Sequence, residues 1–533
     1  MTASLSPPGV VPQAPPGIYG LVNLATGPVS GPATFYNLLL VGNFIPTSGS
    51  AVAGNIYGPT STVGLQSTQD AINLFGAGSP LQRAYSVALK NFPQGLYAIP
   101  ITPAVGNAAS ITFTVTQSGT ESTGNVRVWV GTTYVDTPFG TSDSAATVAT
   151  NVVNNVNGNQ TIDVLASSPT SGAIKLTYKV AGARGNWKTA AVMVTSGTGI
   201  LVNAPSQSPS VYTGQVKLTG GTGSDLTSYQ SATSTLIASG LRFYRQVIEA
   251  GCDSIDGYNT SNTANGIVEY WTQNLIDFES NNATIGIRQV LFTGSVDTLG
   301  NTITTTSTLN DGRVATVNHH NGNTMPFELA AQWASGIATL QTPFLQAQGV
   351  NLDNFGATGA TSVYWLEPPA LDGSAASPTD IATSVTSGVS IVKNVGQANT
   401  CVVKACTTHF YFGSSAQFDP RIVDLGAVTV CDYFLDDLEV DIASKCANKL
   451  VQDNPKNGAV IGANVVTPKM IENIANEQVG VYASAGLVNA NNTTVTAQIS
   501  PLTPSRIELA IGLWVNACLH TVTVVVNQNS TNS

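Results

Sequence analysis

The residues best suited to binding a metal are Cys401, Cys406 and His409, which lie close together in the sequence. Thiolate and imidazole groups bind zinc, but zinc sites draw on several such ligands in characteristic spacings. One C-x4-C spacing with a single nearby histidine is a weak match and favours buried structural thiols. The adjacent His319 and His320 are interpreted as a loop pair. We therefore expect no metal site and no cofactor.

Nucleophilic catalysis finds little support in the residue types. The sequence lacks the G-x-S-x-G turn that exposes a catalytic serine in one large hydrolase class, and its four histidines offer few general bases. The segment Gly76–Leu81 matches part of a dinucleotide-binding fingerprint, but it joins two predicted helices and does not follow a strand. Helix capping explains its glycines. The sequence predicts a protein that is not an enzyme and binds no nucleotide.

Carboxylates are concentrated in Asp436–Asp441, which places four of them on one predicted helix. A calcium loop would need a glycine turn that is absent here. A solvated or intersubunit face is favoured over paired acid–base groups. Further on, Arg506 and Glu508 lie two residues apart on a predicted strand, and they are interpreted as an exposed pair on one face.

The final stretch, Ser505–Ser533, contains a strand that needs a partner. Apolar residues alternate with polar or small ones from Ile507 to Leu519, the pattern of a half-buried strand, although a helix remains a minority interpretation for its first half. The alternation changes parity at His520 and Thr521, which predicts a bend or bulge before a second strand. That second strand needs the edge of an existing sheet, in this subunit or in a neighbour. The predicted intersubunit strand consists of Thr521, Val522, Thr523, Val524, Val525, Val526 and Asn527.

The composition indicates a folded protein with extensive uncharged surfaces. Charged residues make up 9% of the 533 residues and hydrophobic residues 42%, whereas about 25% of residues are charged in ordinary soluble proteins. Large assemblies use such neutral contact surfaces. The net charge of −10, with 20 Lys and Arg spread along the chain, argues against direct contact with nucleic acid, which requires clustered basic residues.

The chain carries no recognisable export or membrane signal. Its first residues lack the basic and apolar regions of a signal peptide, and it has no apolar run long enough to cross a membrane. We therefore expect no membrane insertion and a protein that is made and kept in a cytosol. The cysteines are too sparse for a disulfide scaffold and are interpreted as buried thiols: Cys252, Cys401, Cys406, Cys431, Cys446 and Cys518.

The clearest start and stop signals lie between residues 67 and 91. Ser67, followed three residues later by Asp70, predicts a capping box, and Gly76 is placed to end that helix in the left-handed conformation. Ser79 is predicted to cap a second helix that begins with Pro80. The second helix has one apolar stripe, formed by Leu81, Ala84, Tyr85, Ala88 and Leu89.

Strand patterns around these helices predict an α/β fold with several domains. Phe35–Phe44 reads as a strand covered on both faces, and Gly95–Ile101 as the strand that returns after the helices. Thr-rich alternation over 106–224 predicts an inserted β-rich domain, and mixed patterns over 225–394 predict a middle α/β domain. Residues 1–32 are rich in proline, which predicts an extended arm, with a frayed tail as the alternative.

The chain resembles the tail-sheath proteins of contractile-tailed bacteriophages, particularly the group similar to the Mu-like sheath. The resemblance is specific over about residues 17–105 and 400–527, weaker between them, and it depends on the shared order of several strings. These are PPGIYG, DAINLFGAGSPLQRAYSVALKNFPQGLYAIPI, AGARGN, VKLTGGTGSDL and TPKMIENI. Lys404 departs from the pattern, because many relatives have an arginine near the Thr407-Thr408 pair.

The resemblance implies a particular organisation. In the family, both chain ends fold together into an inner domain, which would here comprise 33–105 and 395–519. The middle domain is subtilisin-like in topology without being a protease, and the inserted domain projects outward. Extended arms, here 1–32 and 520–533, pair with sheets of adjacent subunits.

The resemblance also implies a function. The subunit would polymerise as stacked rings in a helical tube around the inner tail tube and contract to drive that tube through the host envelope. Its partners would be itself, the tail tube protein, and the baseplate and tail-terminator proteins. It would be assembled in the host cytoplasm and reside in the virion. A secreted or surface β-rich carbohydrate-binding or hydrolytic protein is the alternative, disfavoured by the missing signal peptide and the α/β chain ends.

Overall fold

The computed structural model describes residues 37–516 except for 60, 94, 121, 204–214, 242, 257–265, 281–287, 320–321, 341–375, 395–399, 410, 413–416, 419–423 and 457–461. No helix in these ranges is both long enough and apolar enough to cross a membrane. The predicted α/β class is confirmed, since helices alternate with strands that form several sheets.

The first part of the chain folds as its local signals predict. Its elements are β1 (Leu38–Asn43), α1 (Thr68–Phe75), α2 (Pro80–Asn91) and β2 (Leu96–Ile101). The Ser67 hydroxyl accepts a hydrogen bond from the Asp70 N–H at 3.1 Å, and the Asp70 carboxylate accepts one from the Ser67 N–H at 2.9 Å, which completes the capping box. Ser79 caps α2 as expected. Gly76 has a positive φ of 82°, but its ψ of 138° lies outside the left-handed helical region, so that detail of the prediction is wrong.

The β-rich segment forms two antiparallel sheets around a core of its own. Its elements are β3 (Ser110–Gln117), β4 (Gly124–Val130), β5 (Thr133–Phe139), α3 (Ala145–Gly158), β6 (Val164–Ser167), β7 (Ala173–Tyr178), β8 (Thr189–Ser196), β9 (Ile200–Asn203) and β10 (Val216–Lys217). The strand orders are β10-β8-β4-β5 and β6-β7-β3-β9. Phe113, Val128 and Val152 lie in the buried cluster between the sheets and α3. The alternating pattern is least clear in β5, which contains a proline, and in β10, which has two residues.

The next part of the chain builds a large sheet with helices on both faces. Its elements are α4 (Leu226–Ser239), β11 (Arg245–Ile248), α5 (Ile267–Trp271) continued by a π-helical turn and α6 (Asp277–Ser280), β12 (Val290–Ser295), α7 (Leu299–Leu309), β13 (Val314–Asn318), α8 (Pro326–Leu340), α9 (Pro378–Val385), β14 (Ser390–Asn394) and β15 (Thr400–Val402). The sheet has seven strands in the order β15-β14-β13-β12-β11-β1-β2, and β15 alone is antiparallel to its neighbour.

The pairing of β1 differs from the grouping that the resemblance implied. All six residues of β1 are buried, so both of its edges need partners, and these are β11 on one side and β2 on the other. The sheet thus draws strands from 33–105, 225–394 and 395–519. The predicted boundary between the first segment and the middle one does not separate two cores, because Leu38 and Phe292 belong to one buried cluster.

The last part of the chain forms a smaller unit around two long helices. Its elements are β16 (Tyr411–Phe412), β17 (Gln417–Phe418), α10 (Leu425–Cys446), β18 (Leu450–Val451), β19 (Val465–Val466), α11 (Pro468–Ser484), β20 (Thr494–Ile499) and β21 (Ile507–Gly512). Thr467 caps α11, and Pro468 occupies its first position, as predicted. The strand interpretation of the terminal alternation is confirmed over β21, which is shorter than the pattern suggested. Cys518 and the predicted intersubunit strand Thr521–Asn527 lie outside the described residues.

Candidate functional site

The hairpin of β20 and β21 is the described element closest in sequence to the predicted intersubunit strand. Its apolar residues share one face: Val495 lies opposite Ile511, Ala497 opposite Leu509 and Ile499 opposite Ile507. Apart from Ile499, these residues pack against α11 in a cluster that also contains Tyr482. Because isolated two-stranded sheets are marginal in water, the hairpin depends on this helix and is suited to accept a further strand.

One hydrogen bond shows how the hairpin directs its backbone groups. The Ala497 N–H donates to Oε1 of Glu472, on α11, at 2.9 Å. It therefore does not bond to Leu509, the residue opposite. Ala497 and Leu509 thus form a non-hydrogen-bonded pair. In such a pair of an antiparallel sheet, the two opposite residues point their N–H and C=O groups away from each other. By the same alternation, the outward groups of β21 are those of Ile507, Leu509 and Ile511.

The two edges of this hairpin are consequently unlike. Glu472 occupies the outer edge of β20 at Ala497, and hydrogen bonds from Lys469 and then from the Ala497 N–H hold the pKa of its carboxyl below the usual range. Among the residues that the structure describes, β21 pairs with β20 and with no other strand. Within this part of the chain, its outer edge presents a row of backbone donors and acceptors with which a further strand could pair.

The ion pair at the start of β21 differs from its prediction. The Arg506 Nη2 donates to Glu508 Oε1 at 3.1 Å, so the pairing itself is present. The Glu508 residue is only 5% exposed, however, and the nearby Gln498 Nε2 lies 3.4 Å from its other oxygen. The interpretation as an exposed pair is wrong, because the side chains of Arg506 and Glu508 are only 19% and 3% exposed.

Helix α10 connects the smaller unit that contains β20 and β21 to the large sheet through buried ion pairs. The Asp432 carboxylate accepts from Arg313 Nη2 and from the Tyr244 hydroxyl, each at 2.9 Å, and its side chain is fully buried. One to two turns further on, Glu439 accepts from Arg288 Nη2 at 2.8 Å. Burial opposes the charge of Arg313, but Asp432 outweighs it and raises the pKa of the guanidinium.

The same helix packs against α11 on another side. The Phe434 and Tyr482 rings meet edge to face with centroids 5.2 Å apart. The Asp437 carboxylate accepts from the Tyr482 hydroxyl at 2.7 Å and from Gln478 Nε2 at 3.2 Å. The single helix α10 therefore contacts both the elements of the large sheet and the helix that carries the hairpin.

These contacts correct the prediction for Asp436–Asp441. Asp436 and Glu439 both pair with Arg288, and Asp437 is held by α11. Asp441 faces outward, where it pairs with Lys445 at 3.2 Å. The solvated or intersubunit face is wrong for three of the four carboxylates. Helical spacing alone could not show that buried arginines of the sheet lie opposite them.

A second buried ion cluster joins the inserted domain to the sheet. Arg184 lies in a short 3-10 turn, Ala183–Trp187. Its guanidinium binds Asp225 through two hydrogen bonds of 2.5 and 2.8 Å and Asp256 through a third of 2.5 Å. Glu249 lies 3.8 Å from the same group. The strings AGARGN and VKLTGGTGSDL, far apart in sequence, thus supply the two partners Arg184 and Asp225.

The ion cluster around Arg184 lies at one edge of the large sheet. Asn43 ends β1 and Glu249 directly follows β11, so both lie at the carboxyl edge of the sheet, where the strand order reverses between β1 and β11. Open α/β sheets bind their ligands in the crevice at such a point. Here the guanidinium of Arg184 lies at that crevice, against the carboxylates around it. The role of Arg184 could not be predicted from the sequence, because its carboxylate partners lie on other elements.

Another set of charges supports the same junction. The Arg83 Nε on α2 donates to Glu328 Oε1 on α8 at 2.7 Å and lies 3.6 Å from Asp163 of the inserted domain. The Lys188 ammonium lies 2.6 Å from Asp163, and both side chains are 1% exposed. The junction is therefore a buried network of ion pairs on both sides of the contact.

The thiols are placed largely as expected. Cys252, Cys401 and Cys406 are buried, and Cys431 and Cys446 are half-buried. The His409 Nδ1 lies 3.2 Å from the backbone oxygen of Asn310. Across the described ranges, no three His, Cys, Asp or Glu side chains are arranged to hold a metal ion.

Comparison with known proteins gives two structural likenesses. No family model and no curated protein matches the chain. It is similar to the sheath tail protein from Desulfitobacterium hafniense, with 12% identity, 94% of this chain and 100% of that chain covered, and a TM-score of 0.39. It is also similar to the anti-feeding prophage helical sheath in its contracted state, with 10% identity, 96% and 99% covered, and a TM-score of 0.41.

Proposed function

We propose that this chain is the structural subunit of a contractile tail sheath. The ordered strings of the sequence carry the resemblance to that class. The outer edge of β21, which pairs with no strand among the described residues, is the observation that best supports self-assembly. In this role the subunit polymerises as stacked rings around an inner tube and contracts to drive the tube through the host envelope during genome delivery. It performs no catalysis and does not contact nucleic acid directly.

The unlike edges of the hairpin suggest how subunits join. A strand donated by a neighbouring copy would pair with the outer edge of β21, because Glu472 already occupies the edge of β20 at Ala497. Main-chain hydrogen bonds would supply affinity, and alternate side chains would supply register. The best candidate for the donor is Thr521–Asn527, because Val522, Val524 and Val526 alternate in sequence and would share one face if this segment were extended.

The remaining partners belong to the same proposal. The tail tube protein would lie inside the sheath, and baseplate and tail-terminator proteins would meet its two ends. The subunit would assemble in the host cytoplasm and remain in the virion. The neutral surface implied by 9% charged residues fits extensive contacts between identical subunits.

Removal of residues 520–533 tests this proposal. The truncated protein should remain folded, as judged by circular dichroism and hydrogen exchange across β21, but should no longer form tubes in negative-stain electron microscopy. A matched control replaces 520–533 by a Gly-Ser segment of equal length, which keeps chain length but not the valine alternation, and it should behave like the truncation. Tubes of normal diameter from either variant would contradict the proposal.

A further inference from the structure

The junction between the inserted domain and the large sheet buries more negative than positive charge. Four carboxylates meet there, and each residue is at most 7% exposed: Asp225, Glu249, Asp253 and Asp256. Arg184 is the cation that they surround. A buried carboxylate without a matching cation is costly in its ionised form, and the usual relief is to take up a proton.

Glu249 and Asp253 are the two carboxylates of this group that accept no hydrogen bond from Arg184. Asp225 and Asp256 have direct hydrogen bonds to the guanidinium at 2.5 Å, whereas Glu249 lies 3.8 Å away. The Glu249 Oε2 accepts instead from the Asn43 N–H at 2.5 Å. Asp253 accepts from the N–H groups of Ile255 and Asp256 at 2.9 and 3.1 Å. Among the described residues Asp253 forms no ion pair within 4.0 Å, so these two backbone N–H groups are its nearest source of positive charge.

We propose that this junction is a proton-dependent latch: with Glu249 and Asp253 protonated the inserted domain is held on the sheet, and with both ionised it loosens.

The surroundings of both groups agree with this latch. Glu249 faces Arg184, Asp225 and Asp256, with the phenols of Tyr178 and Tyr229 also within electrostatic range. Burial, opposed by Arg184 and reinforced by Asp225, raises the pKa of Glu249 to about 7.

The second carboxyl behaves in the same way. Burial and then the nearby Asp256 raise the pKa of Asp253 to about 7. Further out, Asp297 adds negative charge next to Asp253, and Lys217 is the cation on that side, where burial lowers the pKa of its amine. Arg83 and Glu328 neutralise each other at the other margin.

The direction of the pH effect follows from these shifts. Both carboxyls have a higher pKa when the junction is closed than when it is open to water, so opening releases protons. The stability that these two carboxyls add to the closed junction is therefore fully present below the ordinary carboxyl pKa. It decreases as the pH rises and is lost above about pH 7. The opening constant should rise by up to about tenfold per pH unit for each carboxyl in that window.

Hydrogen exchange with mass spectrometry on the full chain tests the latch. Protection of peptides spanning residues 183–189 is measured from about pH 5 to 8, with correction for the intrinsic exchange rate. The wild type should lose protection steeply up to about pH 7 and then level off. Glu249→Gln and Asp253→Asn keep the shape of the side chain but cannot ionise. Each should therefore flatten the slope of the opening constant against pH, by up to the factor of about ten per pH unit that one carboxyl contributes.

An exposed pair in the same inserted domain provides the control. Arg127 and Asp136 lie 2.7 Å apart on the outer side of the β4–β5 hairpin, so Asp136→Asn should leave the slope unchanged. A slope that is flat in the wild type, or equal in wild type and in both junction variants, would overturn the latch. Protection restored at pH 8 by millimolar Ca²⁺, with EDTA as its blank, would also overturn it, because an inorganic cation and not a proton would then supply the missing charge.

Discussion

Replacing Asp432 by Asn tests whether buried charge fixes helix α10 to the large sheet. The substitution keeps the shape of the side chain but leaves the Arg313 guanidinium, 4% exposed, without its anion. It also weakens the bond that Tyr244 donates at 2.9 Å. Removing one partner of a buried ion pair costs about 3–5 kcal/mol, mostly because the other charge stays buried and unpaired.

The assay must report on α10 itself, because a chain with several cores need not unfold in one step. Hydrogen exchange of α10 peptides in increasing urea gives the free energy of the opening that includes this helix. Asp432→Asn should lower that free energy by about 3–5 kcal/mol. The control Asp441→Asn, on the same helix, removes an exposed pair with Lys445 and should lower this free energy far less, because solvent screens that pair.

A double variant separates charge from packing. Asp432→Leu with Arg313→Met replaces both partners by apolar groups and should recover much of the loss, because no buried charge then remains unpaired. If Asp432→Asn costs no more than Asp441→Asn, the ion pair does not anchor α10 and the reasoning fails. Equal losses in the single and double variants would assign the effect to packing.

Further substitutions test single contacts. Gly42→Ala would place a Cβ 2.5 Å from the Phe327 ring and 3.2 Å from Glu249 Oε2, so it should destabilise the sheet by about 1–3 kcal/mol, measured by hydrogen exchange of β1 peptides in increasing urea. Ser67→Ala removes the cap of α1 and should cost about 1 kcal/mol, measured as faster exchange of the first α1 amides. Glu472→Ala frees the Ala497 N–H and should increase exchange at that amide, while exchange across Thr496, which faces β21, stays unchanged.

Local signals account for what the sequence predicted well. The caps at Ser67, Ser79 and Thr467 involve partners three residues away, so residue type and spacing suffice to place α1, α2 and α11. The all-apolar core of β1 likewise predicted a strand covered on both faces. Even there, a detail such as the ψ of Gly76 depends on the following turn and could not be predicted.

The interactions that sequence reasoning missed join residues far apart in the chain. Arg184 meets Asp225 across 41 positions, and Arg288 meets Glu439 across 151. Charge is important to this fold even though the chain has few charged residues. Several of its arginines lie inside the protein, where their ion pairs join its parts. A carboxylate stripe looks the same in sequence whether it faces water or buried guanidinium groups.

Cryo-electron microscopy of the polymer tests the central claim most directly. Assembled tubes of the full chain should show an additional strand, contributed by a neighbouring copy, hydrogen-bonded to the outward groups of Ile507, Leu509 and Ile511 on β21. The edge of β20 should remain occupied by Glu472. Tubes in which the outer edge of β21 stays unpaired, or in which the added strand lies along β20, would contradict the account.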